Sequence, residues 1–385
     1  MKNVLLSLLF LAGTGVLFGQ SGSHSSWPVT VPDSSKEGPE DHGARAHTNH
    51  LVLFGPEAVG AAPAGETPQS IRPVYNLPST GGSGTIAIVD AFDYPTAEHD
   101  LGVFSTQFSL PQCTTANGCF KKVFASGRQP RSNCGWAQEA ALDIEWAHAM
   151  APNAKIVLVE AASSSFADLF HAVDVARAQV GGLGEVSMSW GGSEFSTEAS
   201  NDSHFTGSGV VYFASSGDTG GVRIYPGVSP NVVSAGGTTI HRSNGVFTSE
   251  TGWSGSGGGP SQFEPRPGYQ AAIAGIVGTH RGSPDFSFDA DPNSGVSVYD
   301  STSCAGQSGW LVFGGTSVAA PSLAGIVNVA GKFSISSNAE LTTIYSSLGT
   351  ANFRDILTGT AGTFTAKAGW DFVTGVGSNQ GLAGK

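Results

Sequence analysis

The sequence predicts an α/β fold in which a twisted, mostly parallel central sheet carries helices on both faces. Short apolar runs with the composition of buried strands occur at 85–90, 155–160, 185–190, 210–215, 231–235 and 310–313. Helical segments are predicted between them, at 138–150, at 166–180 and after Thr316. Strands that alternate with helices favour parallel pairing through right-handed crossovers. The chemistry of such sheets gathers at the carboxyl ends of the strands, where Asp90, Trp190 and Asp218 lie.

The amino terminus has the pattern of an export signal. Lys2 precedes an apolar run at 4–18, and small or polar residues follow at 19–21. A membrane anchor is the alternative, but the run is shorter than the roughly 20 apolar residues needed to span a bilayer. We therefore expect residues 1–20 to be a signal peptide and the mature protein to be secreted.

The next segment differs in composition from the rest of the chain. Residues 22–50 are rich in Ser, Gly, His, Pro and acidic side chains and show almost no apolar periodicity. Such composition is typical of a flexible segment, so we predict that residues 21–66 are a flexible leader or short pro-segment. The folded body is predicted to be one domain over residues 67–385.

The charge balance excludes some partners. The formal net charge is −12, with 18 Lys and Arg against 30 Asp and Glu and no basic cluster. This argues against binding to nucleic acid or to an anionic membrane surface. In an acidic medium the carboxylates would be neutralised and few positive charges would remain to repel one another, which is compatible with acid tolerance.

Four cysteines in an exported chain predict disulfides. Cys113 and Cys119 close a short loop and are expected to pair, which leaves Cys134 and Cys304, although the sequence does not settle the connectivity. A zinc site is a weaker alternative, because no His or Cys stands at ligand spacing around these positions.

Ser317 is the strongest candidate for a catalytic residue. Residues 314–321 read Gly-Gly-Thr-Ser-Val-Ala-Ala-Pro, which places the serine at the start of an Ala-rich helix. Backbone N–H groups and the helix dipole can stabilise a developing oxyanion there. A simple helix-capping serine is the alternative, but Pro321 four residues on matches the nucleophile segment of subtilisin-like peptidases.

A serine nucleophile needs a base, and two carboxylates are candidates. Glu139 and Asp143 are four residues apart and share one face of the predicted helix 138–150. A solvated face is the alternative, yet their neighbours are almost all apolar. Two acids in a dry site cannot both ionise easily, so the pair shares a proton and can act as a base at low pH. His148 is interpreted as structural.

Together these segments resemble the sedolisin (serine-carboxyl peptidase) family, which has a subtilisin-like three-layer fold and a Ser-Glu-Asp triad. The resemblance covers about residues 68–377 and rests on ordered motifs at 139–143, 149–156, 189–192, 216–220 and 314–317. It implies that Glu139 is the base, that Asp143 orients it, and that a protonated Asp218 stabilises the oxyanion. Asp90 and Trp190 stand where some members extend the network, although a glutamate is usual in place of Asp90.

The same resemblance implies a structural calcium ion near the carboxyl terminus. Its ligands would be the side chains of Asp355 and Asp371 and the carbonyls of Ile356, Lys367 and Gly369. Two carboxylates with backbone carbonyls suit a hard cation such as Ca²⁺. Lys367 stands where the family usually has glycine, and an ordinary Gly-rich turn is the alternative.

The predicted function is a secreted, acid-acting endopeptidase, expected to be a monomer, that hydrolyses polypeptides through an acyl-enzyme on Ser317. One alternative is an ordinary Ser-His-Asp subtilisin with Asp90 as the acid, which would need a histidine that no motif supplies. The other is a catalytically silent secreted binding protein on the same scaffold.

Overall fold

A computed structural model describes residues 28–53 and 62–385 of the 385-residue chain. The predicted signal peptide, residues 1–20, lies outside these ranges. Within them, no helix is long and apolar enough to cross a membrane.

The described strands, in chain order, are β1 Val29–Thr30, β2 His47–Thr48, β3 Leu51–Leu53, β4 Thr85–Ala91, β5 Phe120–Phe124, β6 Lys155–Ala161, β7 Gly184–Met188, β8 Trp190–Ser193, β9 Val210–Ser215, β10 Ile224–Tyr225, β11 Val233–Ser243, β12 Val246–Gly252, β13 Gly259–Pro265, β14 His280–Ser283, β15 Phe286–Asp289, β16 Val296–Cys304, β17 Gln307–Gly314, β18 Phe353–Arg354, β19 Thr360–Ala361, β20 Phe364–Thr365 and β21 Ser378–Asn379.

The described α-helices are α1 Pro68–Val74, α2 Ala97–Gln107, α3 Cys134–Met150, α4 Phe166–Val180, α5 Ala274–Val277, α6 Thr316–Ala330 and α7 Ser337–Ser346. Short 3₁₀ helices occupy Asp33–Ser35, Glu198–Phe205, Gly268–Ile273 and Pro292–Ser294.

The central sheet is mostly parallel, as predicted. Its strand order is β18-β21-β15-β11-β9-β7-β4-β6-β5, with β12 added beside β11. The pairs from β21 through to β5 are parallel, and the antiparallel pairs involve the outlying β18 and β12. Switches in strand order on either side of β4 bring the carboxyl ends of β4, β7 and β9 together, which is where such folds place their sites.

Both faces of the sheet are covered by helices. Along β4, Ile86 and Ile88 pack in the core that includes α3 and α6, whereas Ala87 and Val89 pack in the core that includes α4. This alternation follows from the two-residue period of a strand. A fully buried isoleucine or valine side chain contributes about 1.5–3 kcal/mol to folding, so packing on each face of the sheet stabilises the fold. The predicted three-layer α/β class is confirmed.

Several details differ from the sequence-based expectations. The predicted strand 185–190 ends at Met188 and a new strand begins at Trp190, so Ser189 lies in the break between them. The predicted strand 310–313 is part of β17, which belongs to an antiparallel four-stranded sheet of order β1-β3-β17-β16 rather than to the central sheet. The two predicted disulfides, Cys113–Cys119 and Cys134–Cys304, are both present.

The leader is also structured where it is described. For residues 21–66 the composition predicts flexibility, but 28–53 contribute three strands and a 3₁₀ helix. The physical reason is that two strands of the body offer free edges: β2 pairs with β8 and β3 pairs with β17, both antiparallel. Backbone hydrogen bonds to these edges order a segment that its own side chains would not order.

Candidate active site

The acid pair lies on α3, which is buried along almost its entire length. Asn133 caps the helix by accepting a hydrogen bond from the Trp136 N–H. Helix α6 crosses it closely at Gly325, where a Cβ would lie 2.7 Å from the Cβ of Met150. Glu139 and Asp143 are fully buried, one turn apart on α3. The solvated-face alternative for these carboxylates is therefore wrong.

Ser317 is the second residue of α6, directly after a glycine that its position requires. Gly315 has φ +101, and a Cβ on it would lie 2.2 Å from the carbonyl oxygen of Asn49. The Ser317 N–H donates to that same oxygen at 3.0 Å. The Ser317 hydroxyl donates to the carbonyl oxygen of Ser189 at 3.3 Å. The serine is thus at a helix start, as its motif predicts, with a peptide carbonyl against its backbone N–H.

Three buried carboxyl groups influence one another near the serine. Burial, and then the nearby Asp90 and Glu139, raise the pKa of Asp143 well above its usual value. Burial, and then Glu139 and Glu160, do the same to the pKa of Asp90. The Ser189 hydroxyl donates to Asp143 Oδ1 at 2.7 Å and partly offsets the rise there. Asp90 and Asp143 therefore hold protons at pH values where isolated carboxyl groups are ionised.

Asp90 and Trp190 occupy different positions relative to this cluster. Both carboxyl oxygens of Asp90 are buried and lack a hydrogen-bond partner within the described residues. The indole N–H of Trp190 donates to the carbonyl of Val89 at 2.8 Å. Asp90 thus contributes electrostatically to the acid cluster, whereas Trp190 anchors β8 to β4.

Asp218 lies beside the nucleophile, after the end of β9. Its Oδ1 accepts hydrogen bonds from the N–H and the hydroxyl of Thr316, at 2.7 and 2.8 Å. Its Oδ2 is buried without a partner in the described part of the chain. Burial raises the pKa of Asp218 to about 8, against the lowering effect of Thr316 and with a further rise from Glu139. The raised pKa favours the protonated form of Asp218 up to nearly neutral pH.

The unpartnered oxygen of Asp218 lies near the same carbonyl that Ser317 contacts. A Cβ built on Gly315 would lie 2.2 Å from the Asn49 oxygen and 2.4 Å from Asp218 Oδ2, so both oxygens border one small space. The Ser317 N–H donates to the Asn49 carbonyl, and Asp218 Oδ2 borders the same space without a hydrogen bond among the described residues. A backbone N–H at a helix start is one kind of donor that can stabilise an oxyanion.

The leader supplies two residues that the sequence analysis did not identify as part of this site. His50 Nδ1 contacts Glu139 Oε2 at 2.8 Å, and both side chains are fully buried. Asn49 places its carbonyl oxygen at Ser317, as described above. Among the hydrogen bonds of residues 28–53 and 62–385, none joins the Ser317 hydroxyl to Glu139. The nearest sequence signal was the strand-like triplet Leu51–Leu53 that directly follows.

The predicted calcium ligands form a compact loop at the carboxyl terminus. Asp371 Oδ1 accepts from the N–H groups of Val373 and Thr374, and its Oδ2 from that of Lys367. Asp355 Oδ2 accepts from the Gly369 N–H at 3.0 Å, which brings the two parts of the ligand set together. Burial raises the pKa of Asp371, and within the described residues neither carboxylate has a cationic partner. Asp355 and Asp371 Oδ2 therefore keep accepting capacity for a hard cation, whereas Asp371 Oδ1 is already occupied by three donors.

The described residues offer one other potential metal cluster, Cys113, Cys119 and His148. Both sulfur atoms are joined in a disulfide, so neither is a thiolate ligand. His148 Nε2 contacts the carbonyl of Pro111 at 2.8 Å, and burial lowers its pKa to about 4. This histidine is a buried structural residue.

The fold is that of a subtilisin-like scaffold. The profile of the subtilase family (peptidase S8) matches residues 130–377, and the chain belongs to this family. Kumamolisin from Bacillus sp. (strain MN-32) is 30% identical over 369 residues, which is 86% of this chain and 64% of that protein. Sedolisin from Pseudomonas sp. (strain 101) is 32% identical over 172 residues, which is 40% of this chain and 28% of that protein.

Solved structures agree on the fold. Pseudomonas sedolisin, a serine-carboxyl proteinase complexed with two molecules of pseudo-iodotyrostatin, matches with a TM-score of 0.70 and 24% identity over 83% of this chain and 96% of that one. Sphericase matches with a TM-score of 0.54 and 21% identity over 83% of this chain and 99% of that one. The resemblance to the sedolisin family is thereby confirmed. The chain spans less than two thirds of the length of the two curated relatives.

Proposed function

We propose that this protein is an exported, acid-acting serine-carboxyl endopeptidase with Ser317 as nucleophile. The observation that carries the proposal is the hydrogen bond from the Ser317 N–H to a peptide carbonyl in a space that Asp218 Oδ2 also borders, together with the buried carboxyl pair of Glu139 and Asp143. Its substrates are polypeptides. Similarity to the serine-carboxyl peptidases supports the assignment.

In the proposed mechanism Glu139 takes the proton of the Ser317 hydroxyl as the oxygen attacks the substrate carbonyl carbon. Asp143 stabilises the proton on the pair, since its carboxyl group lies one helical turn away. The Ser317 N–H and protonated Asp218 stabilise the oxyanion. The amine leaves with the proton from Glu139, and water then hydrolyses the acyl-enzyme by the same path in reverse. Glu139 must separate from His50 before it can serve as base.

Acid operation is supported by the number of buried carboxyl groups whose pKa is raised. Burial raises the pKa of Glu160, Glu198 and Glu264 to about 8, 9 and 8, and that of Asp218 to about 8. These groups stay protonated in the folded protein at pH values where an unfolded chain releases the protons. Stability is therefore lost as the pH rises through this interval, and the fold favours acid.

A calcium ion held by the Asp355 and Asp371 side chains and by the carbonyls of Ile356, Lys367 and Gly369 is part of the proposal. When bound, it would supply the positive charge that the two carboxylates lack and fix the carboxyl-terminal loops. Secretion through the residue 1–20 signal and a monomeric state also belong to the proposal.

The test is a pH–rate profile on denatured casein, with wild type compared with Ser317→Ala and Glu139→Gln. We expect an acidic optimum for wild type and loss of activity in both variants, each still folded by circular dichroism. A folded, calcium-loaded wild type with no turnover at any pH between about 2 and 6 would instead favour the silent binding protein.

A second candidate mechanism uses His50 as the base. Its contact with Glu139 resembles the acid–imidazole pair of an ordinary serine protease. Against this mechanism, His50 Nε2 has no partner among the described residues and the Ser317 hydroxyl donates to Ser189. Loss of activity in Glu139→Gln with retention in His50→Ala separates the serine-carboxyl mechanism from this one.

A further inference from the structure

Residues 46–49 run along the cleft as an added antiparallel strand. His47 pairs with Gly191 and Thr48 pairs with Trp190. The pairing continues to the break after β7, where the Asn49 N–H donates to the Ser189 carbonyl at 3.2 Å. An extended peptide that adds to a sheet edge is a common way of binding a polypeptide, because its backbone hydrogen bonds do not depend on side chains.

The chain then passes the nucleophile and pairs with a different strand. The Asn49 carbonyl accepts from the Ser317 N–H, and Leu51–Leu53 pair with Gly314, Phe313 and Val312 of β17. The peptide bond between Asn49 and His50 therefore lies at the switch from one supporting strand to the other. The carbonyl of this peptide bond accepts from the Ser317 N–H and borders the same space as Asp218 Oδ2.

The side chain of Asn49 is buried and hydrogen-bonded. Asn49 is 2% exposed, and its amide Nδ2 donates to Ser215 Oγ at 2.7 Å. Ser215 is the last residue of β9, fully buried, and within the described chain Asn49 is the hydrogen-bond partner of its hydroxyl. The Ser215 hydroxyl thus pairs with the Asn49 carboxamide.

We propose that this cleft selects asparagine on the acyl side of the scissile bond, with Ser215 as the specificity-determining residue, and that the Asn49–His50 bond is its built-in substrate. This inference rests on the proposed peptidase function and names the substrate class of that same site. The leader then occupies the cleft and is also the first polypeptide segment that the enzyme cleaves.

The reaction follows the proposed mechanism. Ser317 Oγ forms an ester with the Asn49 carbonyl carbon while the bond to the His50 nitrogen breaks, and the serine proton leaves with that amine. Water then hydrolyses the ester. The products are a chain that ends in the Asn49 carboxyl group and a mature protein whose first residue is His50.

The selectivity for asparagine over leucine follows from the hydrogen bond between the Asn49 side chain and the Ser215 hydroxyl. Leucine has nearly the shape of asparagine but offers no hydrogen bond, so it would leave the buried Ser215 hydroxyl without its partner. An unpaired buried polar group corresponds to a loss of about five- to hundredfold in kcat/KM. Ser215→Ala removes the hydroxyl that a leucine would leave unpaired. The ratio of kcat/KM for asparagine over leucine should therefore fall toward one.

The first experiment follows processing of the full-length chain. Wild type is incubated in acid, and the amino terminus of the product is determined by intact mass and by terminal sequencing. We expect a new terminus at His50 and none in Ser317→Ala. Asn49→Leu should slow this cut at least about fivefold or displace it, whereas Asn338→Leu, at an exposed position on α7, should be processed like wild type.

The second experiment does not depend on the folding of leader variants. Mature enzyme is given two peptides that differ only in Asn or Leu before the scissile bond, and kcat/KM is measured for each. We expect a preference for Asn of about fivefold or more in wild type, strongly reduced in Ser215→Ala. Casein hydrolysis is measured in parallel as the readout of the peptidase function itself.

The outcomes separate the two proposals. Casein hydrolysis with a terminus other than His50, or with equal rates on both peptides, overturns the specificity inference and leaves the peptidase intact. Folded wild type that hydrolyses neither casein nor its own leader overturns the proposed function. A Ser215→Ala enzyme that keeps the full preference for Asn assigns the selectivity to another residue and also overturns the inference.

Discussion

Substitution of Asp218 gives the sharpest test of the oxyanion geometry. Asp218→Asn keeps an oxygen for the two hydrogen bonds from Thr316 and places an amide N–H where the acid proton lies. Asp218→Leu has a similar shape and no donor. Because loss of one oxyanion donor lowers kcat about 10²–10³-fold, we expect that loss in the leucine variant and a much smaller one in the asparagine variant.

The same pair of variants differs in its response to pH. The pKa of Asp218 is raised from its usual 3.8 to about 8, so the folded state keeps a proton that the unfolded state releases between these values. Wild-type stability therefore falls by up to about 1.4 kcal/mol per pH unit across that interval because of this group. Asparagine does not titrate, so the stability of Asp218→Asn relative to wild type should rise with pH.

Denaturant unfolding between pH 4 and 8 measures this difference, in a Ser317→Ala background that prevents self-digestion. The matched kinetic assay is kcat on a peptide substrate at the acidic optimum. Equal activity of the leucine and asparagine variants would refute a donor role for Asp218. A stability difference that does not change with pH would refute a proton on its carboxyl group.

Three further predictions concern other parts of the molecule. His50→Ala, assayed as mature enzyme, should keep kcat within a few-fold of wild type, whereas a drop of about 10²–10⁴-fold would identify His50 as the base. The melting temperature of the Ser317→Ala protein should fall from pH 4 to pH 8. Adding Glu185→Gln to this protein should make the fall smaller, because burial raises the pKa of Glu185 well above its usual value and glutamine does not titrate. An unchanged dependence of melting temperature on pH in the Glu185→Gln protein would contradict this role of Glu185. Calcium at a hundredfold excess over its Kd should stabilise the protein by about 2.7 kcal/mol against chelator. This shift should disappear in Asp355→Asn, and a shift that persists there would place the ion elsewhere.

The sequence predicted those features of the fold that depend on local pattern. The runs at 85–90, 155–160 and 210–215 are apolar on both faces, and such a composition is compatible with little other than a central strand. Helix α2 was not predicted, because its first turn carries Glu98, His99 and Asp100 and it has no clear apolar stripe. Asp100 is nevertheless fully buried, held by tertiary hydrogen bonds that include one from Tyr94.

At the candidate site, too, features set by the local sequence could be predicted, whereas contacts between distant segments could not. The spacing of Glu139 and Asp143 fixes their relation on any helix, and Gly315 with Ser317 forms a recognisable turn into a helix. The contact between His50 and Glu139 joins residues 89 positions apart and depends on the free edges of two distant strands. No pattern within residues 46–53 indicates those edges, so the leader could be predicted as a segment but not placed in the cleft.

The Cys134–Cys304 disulfide has a consequence for how the machinery stays aligned. Cys134 opens the helix that carries the acid pair, and Cys304 ends the first strand of the hairpin whose second strand leads to Ser317. The bond closes a loop of 170 residues, a constraint of about 5 kcal/mol on the unfolded chain. A thiol reductant would therefore lower the stability of the protein and remove the covalent link between the helix of Glu139 and Asp143 and the hairpin that leads to Ser317.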